Sequence, residues 1–466
     1  MSEGIGDELH GIDLGDERLN KRSKHILEAL ADNPEASINA ACDGWGDTIA
    51  AYRFFDNTAV TPEELLRPHR EATIRRMREH PVVLHVQDTS ELDFTKHPPK
   101  DARCLNKAER FGLYMHAHLA VTPSKLNLGV VGIHFFDRAP ETLGKSDERS
   151  TWPIEQKESF RWLEGYRLAC QLAADCPETQ VVSVADREAD IYDIFVDAQQ
   201  QPGPRADFIV RARVDRSTLE RDPAAGKAAY CKVRDEVAGA KLLTTRIIEL
   251  SETPKRKART ALVEIRVLTV QVKPPHERSH LPSVTLNVVL AEEVGGPGDD
   301  TDVSWLLLTS LPIATSVEAL LVIDYYVARW VVEIYFRTLK TGCGVEEIQL
   351  ETLARLKNCL AMNAIVAWRV LYLTYLNRTC PTLPCTAVFT ESEWKSVWLV
   401  VAKKALPPKP PDLAEMMRLL TQLGGYNNRA REAPAGPQPI WIGLRRMADF
   451  AQAWQTFGHD AGKSYV

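Results

Sequence analysis

The sequence of 466 residues lacks the marks of a secreted, fibrous or disordered chain. Its nine cysteines are odd in number and scattered, and no two of them form a C-x-x-C pair. This pattern argues against a disulfide framework and against a cysteine zinc site, so we expect a reducing compartment. Charge begins at Glu3, which is not typical of a signal peptide, so we expect none.

The sequence also lacks a large excess of charge of either sign. Its 57 basic and 63 acidic residues leave a net charge of −6 at pH 7, so any nucleic-acid-binding surface must be local. Apolar residues make up 44% and charged residues 26%, the balance of a globular protein, here of about three domains. No long hydrophobic run is uninterrupted: residues 353–376 contain Lys357, Asn358, Asn363 and Arg369, and therefore predict a buried helix rather than a membrane span.

The spacing of apolar residues divides the chain into helical ends and an α/β middle. The predicted domains are residues 1–78, 79–378 and 379–466. Asp16 is the expected N-cap of the first helix, and Gly424 and Gly425 are expected to end a late one. The middle domain predicts the order β-β-β-α-β-α-β, then an antiparallel β insertion over about 214–303, then a long helix over about 317–341.

Two predicted strands end in an aspartate. HVQDTS places Asp88 at the end of an apolar run, and SVADRE does the same for Asp186. In open α/β sheets, ligands bind at the carboxyl ends of strands, and carboxylate oxygens suit hard divalent cations. The two aspartates are therefore candidate metal ligands, and the alternative is that each one only caps a strand–loop junction.

A third segment, DYYVARWVVEIYFRTLKTGCG, has polar residues at helical spacing. Tyr326, Arg329, Glu333, Arg337 and Lys340 stand at offsets of 0, 3, 7, 11 and 14, which one face of a continuous α-helix would align. The alternative is an amphipathic helix whose polar face carries solvated ion pairs.

The spacing Y-x2-R-x3-E-x6-K in this segment resembles the signature of bacterial insertion-sequence transposases of the DDE class. The similar branch of that class is the cut-and-paste branch that excises through DNA hairpins. The stretches AAYRFFDN, DREADI, FIVRAR, LNVVLAEE, WLLLTS, LGG and W-x-G-L also resemble that family in the same order. The resemblance thus extends over almost the entire chain.

The resemblance implies a ribonuclease-H-like catalytic core with a β-strand insertion, a helical N-terminal DNA-binding domain and a helical C-terminal dimerisation domain. It implies that Asp88, Asp186 and Glu333 bind Mg²⁺, for which Mn²⁺ can substitute. Two such ions can activate water and stabilise the leaving 3′ oxygen, and the same site then serves strand transfer. The implied partners are double-stranded DNA, as terminal inverted repeats and target, and a second copy of the chain, with no membrane. The expected location is the bacterial cytoplasm, at the nucleoid when DNA is bound.

The same resemblance implies a set of DNA contacts. These are Tyr326, Arg329, Arg337, Lys340, Arg211, Trp305, Lys21, Arg22 and Lys24. Trp305 would stack on a flipped base during hairpin formation, and its alternative role is packing at the edge of the core. For Lys21, Arg22 and Lys24, the alternative to DNA binding is that they lie on a solvated helix face. Between Arg211 and Arg278 basic residues exceed acidic ones by seven. This part of the insertion, which contains Lys255, Arg256, Lys257 and Arg259, either contacts the DNA or is an exposed loop.

The sequence leaves three classes of function open. The first is an active transposase, the second a ribonuclease-H-fold nuclease that cuts without joining, and the third a transposase-derived DNA-binding repressor. The intact Asp88, Asp186 and Glu333 disfavour the repressor, and the full terminal regions disfavour the simple nuclease. His116 and His118 share one face of a strand, but no third ligand accompanies them, so a zinc site is not expected.

Overall fold

The computed structural model describes residues 4–457 except 43, 108, 139–151, 201, 220–230, 251–256, 300, 428 and 430–433. Lys255 and Arg256 therefore lie outside the described residues. The described helices are α1 Glu17–Asp32, α2 Ile38–Ala41, α3 Trp45–Phe55, α4 Pro62–Met77, α5 Phe160–Asp175, α6 Tyr192–Gln200, α7 Val233–Ala238, α8 Ser316–Ala328, α9 Val331–Arg337, α10 Leu353–Thr379, α11 Glu391–Val397, α12 Leu413–Leu423 and α13 Pro437–Phe457. The described strands are β1 Val82–Asp93, β2 Arg103–Cys104, β3 Phe111–Val121, β4 Asn127–Phe136, β5 Gln180–Ala185, β6 Asp207–Arg211, β7 Leu242–Leu250, β8 Arg259–Val272, β9 Val284–Glu293 and β10 Ser304–Thr309.

The chain divides into two compact units, and β1 begins in one and ends in the other. The first unit comprises Met1–Met77, Thr89–Leu143 and Val331–Val466, and the second comprises Arg78–Asp88 and Gly144–Trp330. The predicted order β-β-β-α-β-α-β is observed from β1 to β6 with one addition, the two-residue strand β2 between the first two predicted strands. The fold class is confirmed as mixed α/β with a central mixed sheet and helical regions at both ends.

The second unit is built on a mixed sheet whose order is β1-β5-β6-β10-β9-β8-β7. β1, β5 and β6 are parallel, and β10, β9, β8 and β7 follow as antiparallel neighbours. The parallel strands are apolar and fully buried at Val83, Val86, Val182 and Val184, as strands covered on both faces require. β7, β8 and β9 form the predicted β insertion, and their antiparallel pairing confirms its type.

The first unit is built around the apolar helix α10. This helix packs against α1, α3, α4 and β4, and α13 packs against α10, α11 and α12. Its most apolar stretch is 89% buried, so it is the predicted core helix although its length alone would span a membrane. Asn358 donates hydrogen bonds to the carbonyls of Phe55 and Val60 at 3.0 and 2.8 Å, which satisfies this polar group inside the core.

Helix boundaries in the first unit follow local signals. The carboxylate of Asp16 accepts a hydrogen bond from the backbone N–H of Arg18 and caps α1, as predicted. α12 ends at Gly424, and Gly425 has a φ of 84°, a conformation that glycine adopts without strain. Gly129 on β4 allows a close approach of α4, since a Cβ there would lie 1.8 Å from the Thr73 hydroxyl.

Candidate active site

Asp88 and Asp186 lie at the same level of neighbouring parallel strands. The register pairs Val82 with Gln180 and continues to Val86 with Val184. Both aspartates come two residues after this last pair, and neighbouring strands lie about 4.8 Å apart. The register therefore places the two aspartates that the sequence proposed as partners at the same edge of neighbouring strands.

The prediction that Asp88 ends its strand is wrong. β1 continues through Asp88 to Asp93, because its last residues find partners in the first unit. There the hydroxyl of Thr89 lies 2.8 Å from Nδ1 of His116, and Leu92 is fully buried. Asp88 instead lies where the parallel pairing with β5 stops. For Asp186 the prediction is correct, since β5 ends at Ala185.

Asp186 and Asp190 shape the loop after β5. Asp186 accepts a hydrogen bond from the backbone N–H of Glu188 at 2.8 Å and caps a short 3₁₀ turn. The buried carboxylate of Asp190 accepts from the backbone N–H groups of Arg213 and Val214 at 2.8 and 2.9 Å, and pairs with Arg216. The loop that carries Asp186 is thereby joined to the segment that follows β6.

The predicted continuous helix over 317–341 is also wrong. α8 ends at Ala328, Arg329 and Trp330 form a tight turn with i→i−3 hydrogen bonds, and α9 begins at Val331. A π-helical turn, Thr338–Gly342, then contains Lys340. These two turns do not have the 3.6 residues per turn of an α-helix. The five predicted positions therefore do not share one face of a single α-helix.

Arg329 makes a direct contact with Asp88. Its Nη1 lies 3.1 Å from Oδ2 of that carboxylate, and the arginine is 7% exposed. The guanidinium carbon also lies 5.8 Å from the ring centroid of Tyr326, which is 6% exposed. A buried guanidinium against a carboxylate is well satisfied, and its removal would take a positive charge away from that carboxylate.

Trp305, on β10, contacts the ring of Tyr326. Its ring centroid lies 5.5 Å from that of Tyr326 in an edge-to-face arrangement. The ring is half-buried and packs against a cluster of Leu250, Ala261, Val263 and Val303, so part of one aromatic surface is exposed. Trp330, next to Arg329, is 54% exposed and so does not pack in a core.

Arginines converge on Ser304, the residue before Trp305. Nη2 of Arg211 donates to the Ser304 carbonyl at 3.1 Å, and Nη1 of Arg234 donates to the Ser304 hydroxyl at 3.2 Å. Partial burial lowers the pKa of Arg187, and the charges of Arg211 and Arg234 lower it further. Sequence reasoning found Arg211 but missed the other two. Arg187 could have been found from its place directly after Asp186, whereas no sequence signal marks Arg234.

The remaining signature residues lie in the first unit. Glu333 is half-buried on α9, and Arg337 is exposed at the end of that helix. Nζ of Lys340 lies 3.6 Å from a carboxylate oxygen of Glu346, which also accepts a hydrogen bond from the backbone N–H of Asp93. Lys340 is therefore held near the end of β1 within this unit.

The predicted N-terminal cations are partly engaged with acidic neighbours. Arg22 and His25 both contact Asp47 of α3, and Nζ of Lys21 lies 3.8 Å from Glu17 on the exposed surface. Lys24 is half-buried. In the insertion, Arg259 pairs with Glu293 and is internally neutralised, whereas Lys257 is exposed.

Histidines do not form a metal site. The rings of His116 and His118 lie 4.7 Å apart, and both are buried. Within the described residues, no three histidine, cysteine or carboxylate side chains converge to hold an ion. None of the nine cysteines is in a disulfide bond.

The oxygen donors of Asp88 and Asp186 have the chemistry that hard divalent cations require. The pair therefore suits Mg²⁺ or Mn²⁺ better than a softer metal.

Comparison with known proteins identifies three domains in order along the chain. Residues 1–60 match the family "Transposase DNA-binding", residues 166–369 match "Transposase DDE domain" and residues 365–459 match "Transposase Tn5 dimerisation domain". The DDE match contains Asp186 and Glu333, and Asp88 precedes it. A cryo-EM structure of the piggyBac transposase synaptic complex with hairpin DNA is similar at 10% identity and a TM-score of 0.35, covering 96% of this chain and 73% of that one. The three family matches together cover most of the chain and support a DDE transposase, a class that generally uses divalent metal ions.

Proposed function

We propose that this transposase excises a bacterial insertion sequence and integrates it elsewhere by phosphodiester hydrolysis and strand transfer. The observation that carries the proposal is that Asp88 and Asp186 each stand two residues after the last registered pair of β1 and β5, in a chain with DNA-binding, DDE and dimerisation matches. The substrates are the terminal inverted repeats of the element and a target duplex. Its place of action is the cytoplasm, at the nucleoid.

The proposed metal ligands are Asp88, Asp186 and Glu333. The first two are supported by the strand register, and Glu333 by its position in the Y-x2-R-x3-E-x6-K spacing and its inclusion in the DDE match. When bound, two Mg²⁺ ions, or Mn²⁺ in their place, would activate water and stabilise the leaving 3′ oxygen. No covalent bond between protein and DNA is required.

Arg329 has a double task in this proposal. Without DNA it neutralises Asp88 at 3.1 Å. A phosphate near the cut offers the guanidinium two oxygens in the same bidentate geometry as a carboxylate. Tyr326 would hydrogen-bond a phosphate beside it, and Arg337 and Lys340 would neutralise phosphates farther along the strand.

Hairpin formation is proposed from the position of Trp305. A hairpin forms when the free 3′ hydroxyl attacks the opposite strand, which requires the terminal base pair to open. Stacking an extruded base on an aromatic ring contributes about 1–3 kcal/mol. The half-buried ring is supported from behind by the apolar cluster and Tyr326, so it can receive a base without first being ordered.

The domain assignments complete the proposal. Residues 1–78 would recognise the DNA end, with Lys21, Arg22 and Lys24 among its contacts. Residues 79–378 would hold the chemistry, and residues 379–466 would pair two copies so that each subunit cuts the end that its partner binds.

The test uses purified protein and linear DNA that carries the element's own ends, with and without Mg²⁺, on a denaturing gel. We expect a metal-dependent nick at the element boundary, then a hairpin, then joining to added target DNA. Cutting without joining would indicate a nuclease. Specific binding with no cut in either Mg²⁺ or Mn²⁺ would indicate a repressor.

Substitutions separate the roles of individual residues. Glu333→Ala should abolish cleavage and leave end binding within about twofold of the wild type. Glu164→Ala, which removes an exposed helical glutamate in α5, is the matched control and should change neither. Loss of end binding in Glu333→Ala would mean a structural role. Trp305→Ala should retain nicking and lose hairpin formation, and Trp305→Phe should restore it in part.

A further inference from the structure

We propose that Glu346 is a positioning residue for Lys340, which it joins to the end of β1 and thereby orients toward a DNA phosphate. The inference rests on the proposed function, in which Lys340 contacts a phosphate, and deepens it by adding a residue that acts through Lys340. Glu346 lies outside the Y-x2-R-x3-E-x6-K spacing, which ends at Lys340.

One oxygen of Glu346 contacts two groups. Oε1 accepts the backbone N–H of Asp93 at 3.0 Å, and the same atom lies 3.6 Å from Nζ of Lys340. The side chains of Lys340 and Glu346 are 28% and 31% exposed, so their pair is partly shielded from water and stronger than a fully exposed one. The carboxylate therefore fixes the ammonium relative to the backbone at the end of β1.

Local backbone geometry brings Glu346 back to Lys340. Lys340 lies in the π-helical turn Thr338–Gly342, and Gly344 then adopts a φ of 56°. This left-handed conformation, which glycine adopts without strain, reverses the chain. The 3₁₀ turn Val345–Glu347 follows, and its first side chain is fully buried. The segment from Lys340 to Glu346 is thus a compact return that places the two charges side by side.

Asp93 is itself a fixed point. Its carboxylate accepts hydrogen bonds from the backbone N–H of Thr95 at 2.9 Å and from Nε of Arg110 at 3.0 Å. Asp93 is also the last residue of β1, the strand that contains Asp88. Glu346 is therefore anchored to a strand end that other contacts hold, as a residue that orients another one requires.

Lys340 needs such a partner and can keep it when DNA is bound. A lysine side chain has a flexible four-carbon stem, and fixing its ammonium costs rotamer entropy. At 3.6 Å the contact with Glu346 is too long for a hydrogen bond, and Lys340 donates none within the part of the chain that the structure describes. Its three N–H groups thus stay available to phosphate oxygens.

The same carboxylate opposes the phosphate through its charge. Removing this charge should therefore tighten DNA binding, whereas losing the orientation of Lys340 should slow the cut. Opposite changes in these two quantities distinguish a positioning role from a structural one, because a damaged fold would weaken both.

The test compares Glu346→Gln with the wild type in the full-length protein. The amide oxygen of glutamine can still accept the N–H of Asp93, so the variant removes the charge and keeps the anchor. Binding of a fluorescent element-end duplex in EDTA should tighten about threefold. The rate of the first nick in Mg²⁺, at saturating protein, should fall about tenfold.

A double-mutant cycle shows whether Glu346 acts through Lys340. Lys340→Ala should slow the nick, and Lys340→Ala combined with Glu346→Gln should nick no more slowly than Lys340→Ala alone. If the double variant is slower by the same factor that Glu346→Gln causes in the wild type, the two residues act independently and the inference is wrong.

The matched control is Glu347→Gln, which removes the same charge one residue away. Glu347 pairs with Lys96 at 2.7 Å, and both side chains are more than half exposed. This variant should nick at the wild-type rate, and its effect on binding measures the general effect of one charge.

The outcomes distinguish the inference from the proposed function. If Glu346→Gln nicks as fast as Glu347→Gln while the wild type cuts its ends, Glu346 does not position Lys340 and the proposed function stands. If the wild type nicks its own ends in neither Mg²⁺ nor Mn²⁺, the proposed function is wrong and the inference is wrong with it.

Discussion

Glu8→Gln is predicted to destabilise the first unit by about 3 kcal/mol at pH 7. The Glu8 carboxylate accepts hydrogen bonds from Nη1 and Nη2 of Arg76 at 2.9 and 3.1 Å, and lies 2.5 Å from Nδ1 of His69. Nε2 of His69 accepts the backbone N–H of Val130 at 3.0 Å, so this ring is neutral and donates from Nδ1. Arg76 also stacks on Trp368, with its guanidinium carbon 4.6 Å from the ring centroid.

The magnitude follows from the pKa of Glu8. Burial alone would raise it, but the hydrogen bonds from His69 and Arg76 and the positive charge of Arg76 outweigh burial and lower it from 4.5 to about 2. At about 1.4 kcal/mol per pKa unit, this difference corresponds to about 3 kcal/mol. Because the folded pKa lies below the unfolded one, the stabilisation is complete above pH 4.5 and is lost as the pH falls toward 2.

His69 adds to the loss of stability in acid. Burial lowers its pKa below 6.5, so the unfolded chain takes up a proton that the folded chain does not accept. Protonation at Nε2 would also break the hydrogen bond from Val130. We therefore expect stability to decline first below about pH 6.5 and further below about pH 4.5.

The assay is native-state hydrogen exchange of the peptide that contains Val130, measured by mass spectrometry. A loss of 3 kcal/mol corresponds to an exchange protection about 100-fold lower at pH 7. Glu17→Gln is the control, because the Glu17 and Lys21 side chains are 71% and 78% exposed and their pair is weak. Equal protection in Glu8→Gln and Glu17→Gln, or a wild-type stability that is flat from pH 6.5 to 3, would refute the reasoning.

Two further predictions concern the carboxylate pair and the C-terminal helices. Arg329→Met removes the counter-charge of Asp88, so Mn²⁺ should bind the DNA-free protein several-fold more tightly by calorimetry; unchanged affinity would contradict this role. Gly443→Ala places a Cβ 2.2 Å from the carbonyl oxygen of Leu420, so α12 and α13 should separate at a cost of about 1–3 kcal/mol in urea unfolding. At Gly436 an added Cβ meets open space, so Gly436→Ala should have no such effect. Equal stability of the two variants would contradict the prediction, because it would show that α12 can shift away from α13 without cost.

Elements with strong local signals could be predicted from the sequence. The carboxylate of Asp16 caps α1, and β5 ends at Ala185, because capping and apolar run length are local properties. The end of β1 is different, since Thr89–Asp93 are mostly polar and pair only because the chain supplies partners such as His116. Tertiary pairing decided this boundary, and the sequence pattern alone could not.

The positions of Arg211 and Arg234 beside Ser304 could not be predicted from the sequence, for a related reason. Arg234 and Ser304 are 70 residues apart, and Arg211 and Ser304 are 93 apart. No spacing rule relates residues at such separations, and no local feature distinguishes Arg234 from the other basic residues of the insertion. Only the antiparallel path through β7, β8, β9 and β10 brings α7 to the first residue of β10.

The break between α8 and α9 changes what the Y-x2-R-x3-E-x6-K spacing means. An amphipathic helix with solvated ion pairs would be continuous, and its charges would be exposed. Arg329 instead is 7% exposed and pairs with Asp88, 241 residues away, while Tyr326 is 6% exposed. The solvated-face interpretation is therefore wrong for these two residues. Burying an arginine requires a compensating partner, and a partner that belongs to the in-register aspartate pair favours a chemical role over a structural one.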